Sequence, residues 1–186
     1  MIDPAAFLSS LISALKLAHV PHMLAGSFAS SMHGVPRATG DIDLIIDPTT
    51  RTLDNLLALL AREGFYLDPD TARSEFRRRG QFNVIDATSA WKADLIYRKG
   101  RAFSRAEFQR RAPETLLGVT LFIASAEDTI LAKLEWAKSG GGEQQLRDVQ
   151  GIIEAQGETL DRTYISSWLD DLGVRALWEQ VLRGEP

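Results

Sequence analysis

Apolar residues recur every three or four positions over residues 4–18. Phe7, Leu8, Leu11, Ile12, Leu15 and Leu17 supply a stripe that predicts an amphipathic helix. Asp3 suits its N-cap and Pro4 its first turn. Short apolar or alternating runs bounded by turn residues predict strands at 22–25, 41–46, 81–85, 92–97 and 119–124. The loop Asp86-Ala87-Thr88-Ser89-Ala90 joins two of them. Helical spacing returns at 27–33, weakly at 70–79, and at 104–111. A further helix starts from Asp47-Pro48-Thr49 and runs to about Arg62, with Leu53, Leu56, Leu57 and Leu60 on one face. Gly64 is placed just beyond its end, where glycine takes the left-handed conformation.

Ser125 caps a helix running to about Lys138, and Asp128 three residues on makes a near capping box. Ser139-Gly140-Gly141-Gly142 reads as a flexible break. Helices follow at 143–156, 161–171 and 174–183, parted by Gly157 and Gly173. Strands and helices alternate irregularly and then give way to helices alone. That order predicts an α+β fold with a small mixed sheet flanked by helices and a C-terminal helical bundle. Residues 1–124 form the expected core, and 125–186 the helical part packed on it as one structural unit. Trp136, Trp168 and Trp178 fall at helical positions and are expected in the core.

The chain of 186 residues is 45% hydrophobic and 25% charged, so it can bury a full core. It has no cysteine, which excludes disulfides and thiolate metal sites. Met1-Ile2-Asp3-Pro4 lacks the basic and apolar regions of a secretory signal, and no run has the length of a membrane span. A cytoplasmic protein without membrane contact is the expectation. The net charge of −4 conceals an asymmetry, because residues 73–111 carry eleven Lys or Arg against four acids. Such a segment attracts phosphates or nucleic acid when its side chains share a face, and is otherwise solvated surface.

The chemistry concentrates in residues 26–43. Gly26-Ser27 follows an apolar strand and opens a helix whose free N–H groups can receive a phosphate. Asp41-Ile42-Asp43 starts the next strand, and its two carboxylates share a face because side chains alternate. Adjacent carboxylates repel unless a cation lies between them, and hard oxygen donors suit Mg²⁺. Asp94 sits in an otherwise apolar strand, where a lone carboxylate needs a partner or a metal. Asp86 is its rival as a third acid, although it lies at a strand end where turn acids are common. A surface pairing of Asp94 with Lys92 or Arg98 is the structural alternative. Arg37 precedes the carboxylate strand, where it either neutralises phosphate or is a plain loop arginine. His22 and His33 lack metal-ligand spacing, and no nucleophile elbow or P-loop is present.

Gly26-Ser27, a spacer and Asp41-x-Asp43 resemble the signature of the nucleotidyltransferase superfamily with the polymerase-beta-like fold. Arg37-Ala38-Thr39-Gly40-Asp41-Ile42-Asp43 resembles the form in small bacterial stand-alone members, including abortive-infection type toxins. The resemblance implies a Mg²⁺-dependent enzyme that moves NMP from an NTP to an acceptor hydroxyl on protein, RNA or a small molecule. It implies two Mg²⁺ ions held by Asp41, Asp43 and Asp94, with phosphates seated at Gly26 and Ser27. A toxin–antitoxin role is implied too, with a cognate protein or tRNA as partner. Ala126 to Leu134 and Gln145-Leu146-Arg147-Asp148-Val149 loosely resemble the later motifs of those toxins, which carries Lys133 and Asp148 over to the nucleotide site. Under that role, Lys133→Met melts near-normally but binds nucleotide weakly; a plain Lys133–Asp148 salt bridge is the alternative. Two further functions stay open: a catalytically inactive nucleotide-sensing or partner-binding module of antitoxin type, and an aminoglycoside-modifying enzyme with an acidic cleft.

Overall fold

Alternation within two six-residue strands builds the centre of the sheet. In β2 (Asp41–Ile46), Ile42, Leu44 and Ile46 are buried, and in β5 (Lys92–Tyr97), Ala93, Leu95 and Tyr97 are buried. The two strands run parallel in register from Asp41 opposite Lys92 to Ile46 opposite Tyr97. β4 (Gln81–Asp86) pairs antiparallel with β5 and adds Phe82 and Val84 to the same buried face. The Tyr97 ring lies 5.4 Å from Phe76 and 5.6 Å from Phe82, and its hydroxyl donates to the Ala72 carbonyl. That contact seats α4 (Pro69–Arg78) on the apolar face of the sheet. Each large side chain so buried contributes about 1.5–3 kcal/mol.

The computed structural model describes residues 4–86, 88, 89 and 91–184. The expected N-cap Asp3, and Ala87 and Ala90 of the expected loop, lie outside them. Among the described residues the sheet has seven strands, in the order β3 (Phe65–Tyr66), β4, β5, β2, β1 (His22–Leu24), β7 (Val119–Ile123) and β6 (Ala112–Leu116). β1 (His22–Leu24) is antiparallel to β2 and parallel to β7 (Val119–Ile123), so the sheet is mixed as expected. α1 (Pro4–Leu17) and α3 (Thr50–Arg62) pack on each other, with Thr49 and Thr52 forming a reciprocal cap at the start of α3. α5 (Ala102–Arg110) precedes the last hairpin.

The periodicity missed both edge strands. β3 (Phe65–Tyr66) is too short to show alternation. β6 (Ala112–Leu116) is exposed along nearly its whole length and contains a proline, both features of an edge. A two-residue turn, Leu117 at φ 50° and Gly118 at φ 78°, folds it onto β7. Two positive φ angles are what the tightest hairpin turns require.

By its internal contacts the chain divides into two units, one of residues up to 24 with 39–123, the other of 25–38 with 124–186. The first holds all seven strands with α1, α3, α4 and α5. The second holds α2 (Gly26–His33), α6 (Ala126–Trp136), α7 (Gly142–Gln156), α8 (Arg162–Leu172) and α9 (Arg175–Leu182). The glycine-rich stretch expected as an open break is a wide π turn, Ala137–Gly141, interrupted at Gly140 with φ 99°. It ties α6 directly to α7. Trp178 is buried as expected and Trp168 half-buried, whereas Trp136, near the end of α6, is 51% exposed. No described helix is long and apolar enough to cross a membrane.

Candidate active site

The first unit gathers the acids. Register sets Asp43 beside Asp94 and Asp41 beside Lys92, and Asn83 of β4 faces Asp94 from the other side. Alternation puts all five on the face opposite Leu44 and Leu95. Strands lie about 4.8 Å apart, and unit charges at that spacing repel by roughly 3 kcal/mol at an effective dielectric of about 20. The Lys92 ammonium relieves part of this. Its Nζ lies 3.3 Å from Asp94 Oδ1 and 3.5 Å from Asp41 Oδ2. The approach to Asp94 has ion-pair distance without hydrogen-bond alignment, so Oδ1 is buried with no hydrogen-bond donor. Burial works against the charge on Lys92, but Asp94 and then Asp41 outweigh it and raise its pKa above the ordinary lysine value.

The donor set fits Mg²⁺ in kind, being carboxylate oxygens with one left undonated in the sheet. Among the described residues no three His, Cys, Asp or Glu side chains converge closely enough to hold an ion as they stand. Asp41 and Asp94 both lie within ion-pair distance of the Lys92 ammonium.

The second unit gathers donors for anions. Gly26 enters α2 at φ 61°, and no side chain caps that helix at Ala25. The Ser27 hydroxyl accepts from Arg37 Nη2 at 2.6 Å. Arg37 also grips Asp148 with two donors, Nε at 3.0 Å and Nη2 at 3.1 Å. Lys133 Nζ reaches the same carboxylate at 2.7 Å, Gln144 Nε2 at 2.9 Å and the Ser30 hydroxyl at 3.4 Å. The side chains of Lys133 and Asp148 are 2% and 6% exposed. Burial alone raises the Asp148 pKa, but the donors from Arg37, Lys133 and Gln144 prevail and hold it below the usual carboxylate range. A cavity of about 320 Å³ opens beside this group, lined by Ser30, Arg37, Gln144, Arg147, Asp148 and Glu154.

Two glycines bring α2 and α7 together. A methyl group on Gly34 meets the Ile152 nitrogen at 2.8 Å, and one on Gly151 meets the Val35 side chain at 3.2 Å. The end of α2 therefore lies against the backbone of α7, which positions Ser30 beside Asp148.

In their overall course the described residues match solved structures of transferases. Two structures of the antibiotic-resistance factor ANT(2'')-Ia align with 15% and 12% identity and TM-scores of 0.57 and 0.59. They cover 89% and 92% of this chain and 93% and 98% of their own. The second is a complex with adenylyl-2''-tobramycin. An antigenic nucleotidyltransferase-like protein from Paracoccidioides brasiliensis aligns at 16% identity and a TM-score of 0.54, over 97% of this chain and 93% of its own. The chain has the nucleotidyltransferase fold. No family model and no curated protein matches the sequence.

Within this nucleotidyltransferase fold the expected site residues form two groups. Asp41, Asp43 and Asp94 share one sheet face of the first unit. Gly26, Ser27, Arg37, Lys133 and Asp148 belong to the second, where all but Gly26 are joined by the Asp148 network. Asp86, the rival acid, ends β4 and its side chain accepts from the turn that follows: bonds from Ser89 and Thr88 lower its pKa to about 2. His22 Nδ1 bonds the Val20 carbonyl, and His33 Nε2 bonds that of Ala124. The basic segment is partly neutralised, with Arg79 and Arg98 on Asp47 and Arg73 on Asp54. Sequence reasoning missed Lys92 as a site residue, and Gln144 and Ser30 altogether. Only Lys92 carried a signal, standing two positions before Asp94.

Proposed function

We propose that the chain is a Mg²⁺-dependent nucleotidyltransferase moving NMP from an NTP to an acceptor hydroxyl. The acceptor hydroxyl gives its proton up to solvent as its oxygen forms a bond to the α-phosphorus, the bond from that phosphorus to the β-phosphate oxygen breaks, and pyrophosphate leaves. The observation that carries this reading is the register that sets Asp43 beside Asp94, with Asp41 on the same face. These three carboxylates are the proposed metal ligands. Bound Mg²⁺ supplies charge neutralisation for the triphosphate and activation of the acceptor hydroxyl. Gly26 and Ser27 start the helix proposed to take phosphate, and Arg37 and Lys133 supply the positive charge.

The fold shared with ANT(2'')-Ia supports nucleotide transfer as the reaction type, and the acceptor is a protein, an RNA end or a small molecule. The resemblance of the Arg37-to-Asp43 segment supports a toxin–antitoxin setting, for which the proposed partner is a cognate protein or tRNA and the proposed location the cytoplasm. A second reading, a nucleotide-sensing module without turnover, draws on Lys92, whose ammonium occupies Asp41 and Asp94.

Incubation with each labelled NTP and Mg²⁺, against protein, RNA and aminoglycoside acceptors, separates the readings. Label transfer that Asp43→Asn abolishes is the expected result. NTP binding with no transfer to any acceptor supports the sensing module.

A further inference from the structure

Lys92 contacts two acids of the carboxylate row, Asp41 and Asp94, through its ammonium. It stands on the same strand as Asp94, two residues earlier, and opposite Asp41 across the parallel pairing. One lysine therefore spans two strands, within 3.5 Å of an acid on each. Its side chain is 31% exposed, so the ammonium has room to swing outward without unpacking the sheet. Asp94 is far less accessible, at 15%. Asp41 is 57% exposed, so the ammonium stands as a displaceable counter-ion between one sheltered acid and one open one.

We infer that Lys92 is a resident counter-ion that holds Asp41 and Asp94 in the metal-free protein and leaves them when a divalent cation enters. This rests on the reading of Asp41, Asp43 and Asp94 as metal ligands. Lys92 then has two opposed effects. It lowers repulsion among the acids in the empty state, and it competes with metal for the same oxygens. A positive charge held within a few ångströms of an entering divalent ion weakens its binding. Lys92 thus sets the divalent concentration at which the site fills.

The test is Mn²⁺ titration of the full chain, following free Mn²⁺ by electron paramagnetic resonance, with melting curves recorded at zero and saturating Mn²⁺. Wild type, Lys92→Met, Lys92→Gln, Lys92→Arg and Asp43→Asn are compared. Loss of the charge in Lys92→Met and Lys92→Gln is expected to tighten Mn²⁺ binding by roughly tenfold or more. Both variants are expected to melt below wild type without metal and level with it at saturation. Lys92→Arg keeps the charge and stays near wild-type affinity. Unchanged or weaker Mn²⁺ binding in both neutral variants overturns the inference, as does a melting deficit that persists at saturating metal. Asp43→Asn separates this failure from that of the underlying reading. If it abolishes wild-type Mn²⁺ binding while the Lys92 variants bind as wild type, the ligands stand and only the counter-ion role falls. Should wild type and both neutral variants bind no Mn²⁺, the two fall together.

Discussion

Lys133 of α6 and Asp148 of α7 meet at 2.7 Å with both side chains almost sealed from solvent. Removing one partner of a buried ion pair leaves the other charge uncompensated and costs about 3 kcal/mol or more. Near-normal melting of Lys133→Met, as the nucleotide role alone implies, is therefore no longer expected. Lys133→Met is expected to lose about 3 kcal/mol in a urea melt, since Arg37 and Gln144 still hold Asp148. The nucleotide role is read from a different quantity: the melting gain on adding NTP, relative to each variant's own baseline. A gain equal to that of wild type would falsify a part for Lys133 in nucleotide binding.

The depressed pKa of Asp148 gives a pH signature. A carboxylate with a lowered folded-state pKa stabilises the protein above its unfolded value, about 4, and loses that contribution as pH falls through the folded value. Stability is expected to be level in this respect above about pH 5 and to fall between about pH 4 and lower values. Asp148→Asn should flatten that limb of the profile, measured by urea midpoints at successive pH. An unchanged acid limb contradicts the assignment.

Asp43→Asn separates activity from stability. The carboxylate faces Asp94 across the strand pair, so its removal lessens repulsion in the metal-free sheet. We expect a melting temperature at or above that of wild type, and loss of Mg²⁺-dependent transfer. Label incorporation equal to wild type counts against the metal-ligand reading.

Nucleotide binding should also be visible without turnover. Mg²⁺ with the correct NTP at about 100 times its dissociation constant adds about 2.7 kcal/mol of apparent stability, because only the native state binds it. Thermal shift across the four NTPs ranks them, and the absence of any shift removes the nucleotide site.

Gly34→Ala tests the approach of α2 to α7. The new methyl group meets backbone atoms of Gly151 and Ile152 at 2.9 and 2.8 Å, which cannot rotate aside. A cost of about 2 kcal/mol is expected, within the usual range for overpacking. Calorimetric melting within a degree of wild type contradicts it.

The contrast between what periodicity reveals and what it hides is clear in particular residues. α3 was legible from its four leucines, and β2 and β5 from alternation, because each pattern is local. Edge strands β3 and β6 were not, since neither buries an alternating face. Asp41 and Asp43 share a face by parity alone. That Asp94 aligns with Asp43, and Lys92 with Asp41, depends on which strand pairs with which, and local spacing does not encode it. Gln144 and Ser30 meet at Asp148 only through the packing of α7 on α2. Trp136 follows helical spacing yet faces solvent, its ring 5.8 Å from the Lys133 ammonium.

The pairing of β2 with β5 makes the acid row sensitive to arithmetic. One residue deleted just before Lys92 and accommodated by a shift of β5 turns Lys92 and Asp94 into the layer occupied by Ala93 and Leu95. Two residues deleted preserve the sides but move each partner along by two residues. Chain-length variation between β4 and β5 is thus free only where the loop absorbs it, and parity, as much as residue identity, defines the row.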